Sequence, residues 1–399
     1  GGAPGMAAVA VRAEVEVRLL NGEAVPVPCA DCEDVGSFRV RAAAALGCPA
    51  SRLRLLLGNQ TLRDTQAFAE MPGALELSTL TLAALIVRPS PVLTGHSDGI
   101  LRRWDLSEAW EGAVPTPTDA TQGHGGPILA VSVDWRLGRV LSGSSDWTLR
   151  VWELRPAGVG LDCLGVLSGH DAPVCAVHAD FAECRAISGS EDGTARMWDV
   201  LDMFCLAVFE GHRRMAVHAV GMALGPGARW AVSAGRDAKL YVWDLESRQL
   251  HRRLSGHGNA VQALCVDAGG RRAVSGSKDR RLRVWDLAAM TCVSALAGHE
   301  GAVTALAVDF EAARAVSGSE DATLRCWDLA SLTCLSVLTD WRGPVASLCA
   351  SQGLLRAVTG CGDGSLSLWD LGGAGRRLAS LEGDPDRGCA QAVSIEDGL

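Results

Sequence analysis

The sequence predicts a mainly β chain in two parts. A seven-bladed β-propeller, seven four-stranded sheets closed into a ring, is expected over residues 80–399, and a small α+β domain over residues 13–79. Three observations lead there. Seven tryptophans, Trp104, Trp152, Trp198, Trp243, Trp285, Trp327 and Trp369, recur 48, 46, 45, 42, 42 and 42 residues apart. An Asp stands six residues before each (Asp98, Asp146, Asp192, Asp237, Asp279, Asp321, Asp363), with a Ser or Thr four residues before that Asp. Each copy also holds four short apolar runs separated by Gly, Asp and Ser turns. A lone four-stranded sheet cannot hide two apolar faces, whereas sheets stacked around an axis bury both, and closing the ring removes the exposed ends.

Composition narrows the function classes. Apolar residues make up 48% of the 399, enough for a packed core. The net charge is −9, with no block of five like charges, which argues against a nucleic-acid binder with its basic face. Lysine occurs only at Lys239 and Lys278. The most apolar window, Leu75 to Val87, is too short and too polar to span a bilayer, so no membrane partner is expected. Fourteen cysteines without pairing offsets or a secretory leader suggest reduced thiols and a cytoplasmic or nuclear location. Cys29-x-x-Cys32 lacks the second pair that a zinc ribbon needs, and nothing calls for a metal or cofactor.

Residues 1–12 are small and featureless, a disordered lead-in. Glu14 to Leu20 alternates as a half-buried strand, Asn21-Gly22 signals a hairpin, and Glu23 to Pro28 returns. Val35, Phe38, Ala42, Ala45 and Leu46 recur at helical spacing, and Gly47-Cys48-Pro49 stops the helix. Arg52 to Leu57, Thr61-Leu62 and Leu75 to Leu80 read as further strands. From Glu33 to Leu62, through Gly47, Pro49 and Arg54 to Gly58, this segment resembles ubiquitin-like (β-grasp) domains. The resemblance implies a docking module for ubiquitin-system components, with Leu20 and Leu56 on its exposed sheet. The segment has no lysine and no free Gly-Gly end, which excludes a conjugated modifier in this form.

The repeat grammar is clearest in the sixth copy: Gly298-His299, then Val303 to Asp309, Arg314 to Ser319, Thr323 to Trp327 and Thr333 to Leu338. Gly-His near the start and Trp-Asp near the end resemble the WD-repeat family. The resemblance implies a hydrogen-bonded set in each blade, which satisfies a buried indole and imidazole. Five sets are complete: His124, Ser142, Asp146, Trp152; His170, Ser188, Asp192, Trp198; His212, Ser233, Asp237, Trp243; His257, Ser275, Asp279, Trp285; and His299, Ser317, Asp321, Trp327. Five copies of Ser, His and Asp at one offset are structural sets, not catalytic triads, and no enzyme activity is expected. The last blade has Asp340-Trp341 where Gly-His belongs, keeping Thr359, Asp363 and Trp369. The first keeps Thr94, Asp98 and Trp104, with His96 placed inside the turn motif rather than as the missing partner. These two blades meet at ring closure, the expected weak seam. Leu80 to Ile86 and Gln391 to Glu396 compete for the inner strand of the first blade, and the first is preferred because its offset needs no gap.

The family resemblance implies a binding rim at the turn beside Gly-His, formed by Ser97, Ser145, Glu191, Arg236, Lys278, Glu320 and Gly362. Arg213, Arg214, Arg236, Lys278, Arg280 and Arg281 gather in two adjacent blades, a sector suited to an acidic or phosphorylated peptide. Trp147 and Trp341 are candidate aromatic anchors, and Trp341 could instead fill the place of the absent histidine. The expected function is a non-enzymatic protein-interaction scaffold, its propeller partner linked to the ubiquitin–proteasome system. The alternative is a substrate receptor of a cullin-type ubiquitin ligase, suggested by Trp152-Glu153-Leu154-Arg155, which approximates a Trp-Asp-x-Arg docking ending.

Overall fold

The computed structural model describes residues 14–19, 24–28, 35–46, 53–57, 60–61, 81–86, 91–105, 117–155, 160–225, 229–339, 343–351, 356–361, 363–371, 375–381 and 390–395. Among these it has one helix and 33 strands, in two units, Gly1–Pro89 and Ser90–Leu399.

In the first unit, β1 (Glu14–Leu19) and β2 (Ala24–Pro28) pair antiparallel, and α1 (Val35–Ala45) follows. Then come β3 (Leu53–Leu57), β4 (Gln60–Thr61) and β5 (Thr81–Ile86). The sheet order is β2-β1-β5-β3-β4, with β5 parallel to β1 and antiparallel to β3. Phe38 and Ala42 are fully buried, as their spacing predicts, but Ala43 completes the stripe while Ala45 is exposed. Val17, Val27 and Leu55 are buried with them. Leu20, the Asn21-Gly22 turn, Cys29, Cys32 and the expected strand Leu75 to Leu80 lie outside the described residues.

The second unit is seven four-stranded antiparallel sheets. In the sixth, β25 (Val303–Asp309), β26 (Arg314–Ser319), β27 (Leu324–Asp328) and β28 (Thr333–Leu338) follow the predicted grammar to within a residue. The inner strands of blades two to seven are β9 (Ile128–Asp134), β13 (Val174–Asp180), β17 (Val217–Ala223), β21 (Val261–Val266), β25 and β29 (Val345–Ala350). The first blade is β33 (Ala390–Ile395), β6 (Pro91–His96), β7 (Ile100–Asp105) and β8 (Pro117–Gln122).

The preferred closure is therefore corrected. Residues 81–86 are held inside the sheet of the first unit, and the C-terminal β33 pairs with β6, setting Val393 opposite Thr94 and Ile395 opposite Val92. β33 lies between β29 and β9, so inner strands neighbour one another around the whole circle. Both segments are apolar runs at workable offsets; long-range pairing, invisible to periodicity, decides between them.

Each tryptophan sits where the third and fourth strands of its blade shift register, as between Val151 and Trp152 or Cys326 and Trp327. Such bulges re-aim a side chain. Six of the seven indoles are at most 3% exposed, and Trp104 is 9% exposed. The blades interlock through a glycine in the second strand. A Cβ on Gly143, Gly189, Gly276 or Gly318 would come within 2.5–2.8 Å of a Cγ1 of Val174, Val217, Val303 or Val345 in the next blade. The recurrent Ser-Gly-Ser is thus a socket for the neighbouring inner strand, a role not read from the sequence.

Candidate functional site

Each complete set is a chain of buried polar groups. In blade two, the Trp152 Nε1–H donates to Ser142 Oγ at 2.8 Å, Ser142 Oγ meets His124 Nε2 at 2.7 Å, and His124 Nδ1 meets Asp146 Oδ2 at 2.9 Å. The same three links recur in the sets of Trp198, Trp243, Trp285 and Trp327, at 2.7–3.1 Å. One neutral imidazole satisfies the chain: Nδ1–H donates to the carboxylate, and Nε2 accepts from the hydroxyl. Ser142, Ser188, Ser233, Ser275 and Ser317 are fully buried and occupied by an indole, so none can meet a substrate.

The turn Asp does more than hold the ring. Asp146 also accepts from the backbone N–H of Gly125 and Thr148 and from the Thr148 hydroxyl. Burial opposes its ionisation, but hydrogen bonds from Thr148, His124 and Gly125 outweigh that and hold its pKa down at about 2. Asp192, Asp237, Asp279 and Asp321 are shifted down by similar bonds. Burial lowers His124, His257 and His299, with the Asp partner working the other way.

Both shifts give stability one sign. A depressed carboxylate stabilises above its unfolded value, and the contribution is lost as pH falls through the folded value. An imidazole held neutral likewise loses its contribution as pH falls below about 6.5. The urea midpoint of the full chain is therefore expected to decline gently below about pH 6.5 and steeply below about pH 4. Asp146 alone accounts for about 1 kcal/mol after allowance for solvent screening. A midpoint that is flat from pH 7 to pH 3 contradicts this.

The first blade corrects a second expectation. His96 is 3% exposed, and its Nε2 lies 2.6 Å from Thr94 Oγ1, which also accepts from Trp104 Nε1 at 2.9 Å. His96 thus supplies the imidazole from the place where blade two has Ser144. Asp98 turns instead to Arg102, which binds it through two nitrogens at 2.5 and 3.2 Å. In the last blade, Trp369 Nε1 reaches Thr359 Oγ1 at 3.0 Å. Trp341 and Gly362 lie outside the described residues.

On the rim, Arg213, Arg214, Arg236, Lys278, Arg280 and Arg281 are all exposed in blades four and five, as the sequence places them, with exposed Glu191 and Glu320 on either side in the ring order. His218, behind this sector, is lowered by burial first, then by Lys278, against the opposing pull of Glu191. The Cys175 thiol is pushed up to about 12 by burial and Glu191, so it is no nucleophile at neutral pH.

The residue after each turn Asp is left-handed in all seven blades, with φ between 61 and 85°: Gly99, Trp147, Gly193, Ala238, Arg280, Ala322 and Gly364. Glycine fits there without strain, while a side chain costs about 1 kcal/mol. Trp147, 51% exposed, and Arg280 carry that cost on the rim. Arg280→Gly is expected to raise stability by about 1 kcal/mol in a denaturant titration while weakening any acidic ligand of the sector; a loss of stability would contradict the strain argument.

Together, the seven sheets define a seven-bladed β-propeller. The family model described as WD domain, G-beta repeat matches residues 116–153, 161–199, 203–244, 248–286, 290–328 and 332–370. The chain belongs to the WD-repeat family. The six matched segments leave out β6, β7 and β33, the inner three strands of the blade shared between the two ends of the propeller. No curated protein matches the chain.

Proposed function

We propose that the chain is a non-enzymatic scaffold whose rim, in blades four and five, receives an acidic or phosphorylated peptide. In this reading the first unit is a ubiquitin-like domain, residues 13–79 extended by β5, that recruits ubiquitin-system components. The observation that carries the rim reading is its unevenness: Arg236 and Lys278 occupy two adjacent places of a seven-fold ring, with Arg280 beside them. Arginine forks suit phosphate and carboxylate. The order hairpin, helix, strand, short strand, strand in the first unit supports the second half. The alternative role as a ligase substrate receptor has less support, because Arg155 is held by Asp162 and Glu153 by Arg139.

The rim reading is tested with paired phosphorylated and unphosphorylated peptide arrays on the full chain. Phosphorylated or acidic peptides are expected to be preferred, with at least a tenfold loss on joint Arg236→Glu and Lys278→Glu substitution. Equal retention of both peptide classes would sink it. For the first unit, affinity purification is compared between the full chain and one lacking residues 1–89. Ubiquitin-system proteins recovered equally by both would refute the recruitment role.

A further inference from the structure

A cavity of about 620 Å³ opens where the first hairpins of blades two to five converge, away from the turn-Asp rim. It is built by Trp135 and Arg136 after β9, by His178, Phe181 and Glu183 on and after β13, and by Met222 and Val266 of the next two blades. Its apolar wall includes two aromatic rings, Trp135 and Phe181. Among the described residues, three carboxylates line it, Asp134, Asp180 and Glu183, against the one guanidinium of Arg136. Asp134 and Asp180 each commit one oxygen to their own turns: Asp134 Oδ1 accepts from the N–H of Arg136 and Leu137, and Asp180 Oδ1 from that of Glu183.

Surplus negative charge beside aromatic faces favours a cation. A peptide's basic side chain suits both the carboxylates and the aromatic faces, and the volume is ample for one such side chain with its flanking backbone.

We propose that this cavity binds a lysine or arginine side chain of an extended partner peptide, its charge beside Asp180 and Glu183 and its aliphatic stem against the rings of Trp135 and Phe181. The site is separate from the rim and takes the opposite charge. The propeller would then hold two segments of unlike charge at once.

The test is calorimetric titration of the full chain with four blocked tripeptides that differ only at the central residue: lysine, arginine, norleucine or glutamate. Saturable binding is expected for lysine and arginine, at least tenfold weaker for norleucine, and none for glutamate. Asp180→Asn together with Glu183→Gln should cost the basic peptides at least fivefold while leaving thermal unfolding unchanged, since the amide that replaces the Asp180 carboxylate still offers an oxygen to the turn. Trp135→Ala, which removes an aromatic face, should weaken the lysine and arginine peptides alike. Joint Arg236→Glu and Lys278→Glu substitution should change nothing here, so failure of the rim reading and failure of this one are distinguishable. No saturable binding up to millimolar peptide, equal binding of norleucine, or indifference to the carboxylate variants would overturn the proposal.

Discussion

A chain ended after Leu381 is expected to lose the cooperative unfolding of its propeller, although it keeps all seven tryptophans. The removed β33 is the inner strand of the first blade and pairs with β6 on the side away from β7. Every residue of β6, Pro91 to His96, is buried, so its orphaned N–H and C=O groups would face either water or an apolar wall. β33 also separates β29 from β9, so its loss opens the ring and exposes the sides of two further blades. Val92 packs with Val358 and Leu366 across the seam, and Leu93 with Ile128 and Val140 on the other side. Opening this junction removes several kcal/mol from a total that rarely exceeds about 15 kcal/mol. In calorimetry the truncated chain should show a midpoint lowered by more than about 10 °C, or no transition. Hydrogen exchange should rise first in β6 and β9. A synthetic peptide of residues 388–397 added in trans should restore part of the transition, because it supplies the missing ladder. A truncated chain that melts like the full one would show that β33 does not close the ring.

The residues that were legible and those that were not differ in a physical way. Trp152, Ser142, His124 and Asp146 could be read from spacing because a buried indole and imidazole must each find a partner at a fixed place in every blade. His96 could not. It stands two residues after Thr94, where blade two has Ser144, and only packing shows that its ring can turn back to the hydroxyl. Closure was ambiguous for another reason. Residues 81–86 and 390–395 are both short apolar strands, and sheet membership depends on pairing over hundreds of residues. The Ser-Gly-Ser repeat was visible, but its meaning needs Val303 or Val345 of the next blade in view. The rim charges were legible because they sit in loops of known order. The cavity at Trp135 was not, since hairpins from four blades make it and no one repeat carries its signature.

Ser317→Ala should be among the most damaging single-atom changes in the molecule. Ser317 Oγ accepts from Trp327 Nε1 at 2.8 Å and meets His299 Nε2 at 2.7 Å, at a site with no exposure to solvent. Removing the oxygen leaves an indole N–H and an imidazole nitrogen unpaired in the interior. Each orphan costs about 1–3 kcal/mol, so a loss of roughly 2–4 kcal/mol is expected from urea unfolding of the full chain. The cavity left by one oxygen adds little. The effect should reach beyond the sixth blade, because Gly318 beside it seats Val345 of the seventh. A double-mutant cycle separates the two orphans. Trp327→Phe removes the donor itself, so combining it with Ser317→Ala should cost about 1–2 kcal/mol less than the sum of the single changes. Thr94 and Thr359 hold their indoles by the same bond, at 2.9 and 3.0 Å, so hydroxyl acceptance from the tryptophan is common to all seven blades. Strict additivity in the cycle, or a loss below about 0.5 kcal/mol for Ser317→Ala, would mean that the tryptophans hold the blades by packing alone and that the hydroxyl is incidental.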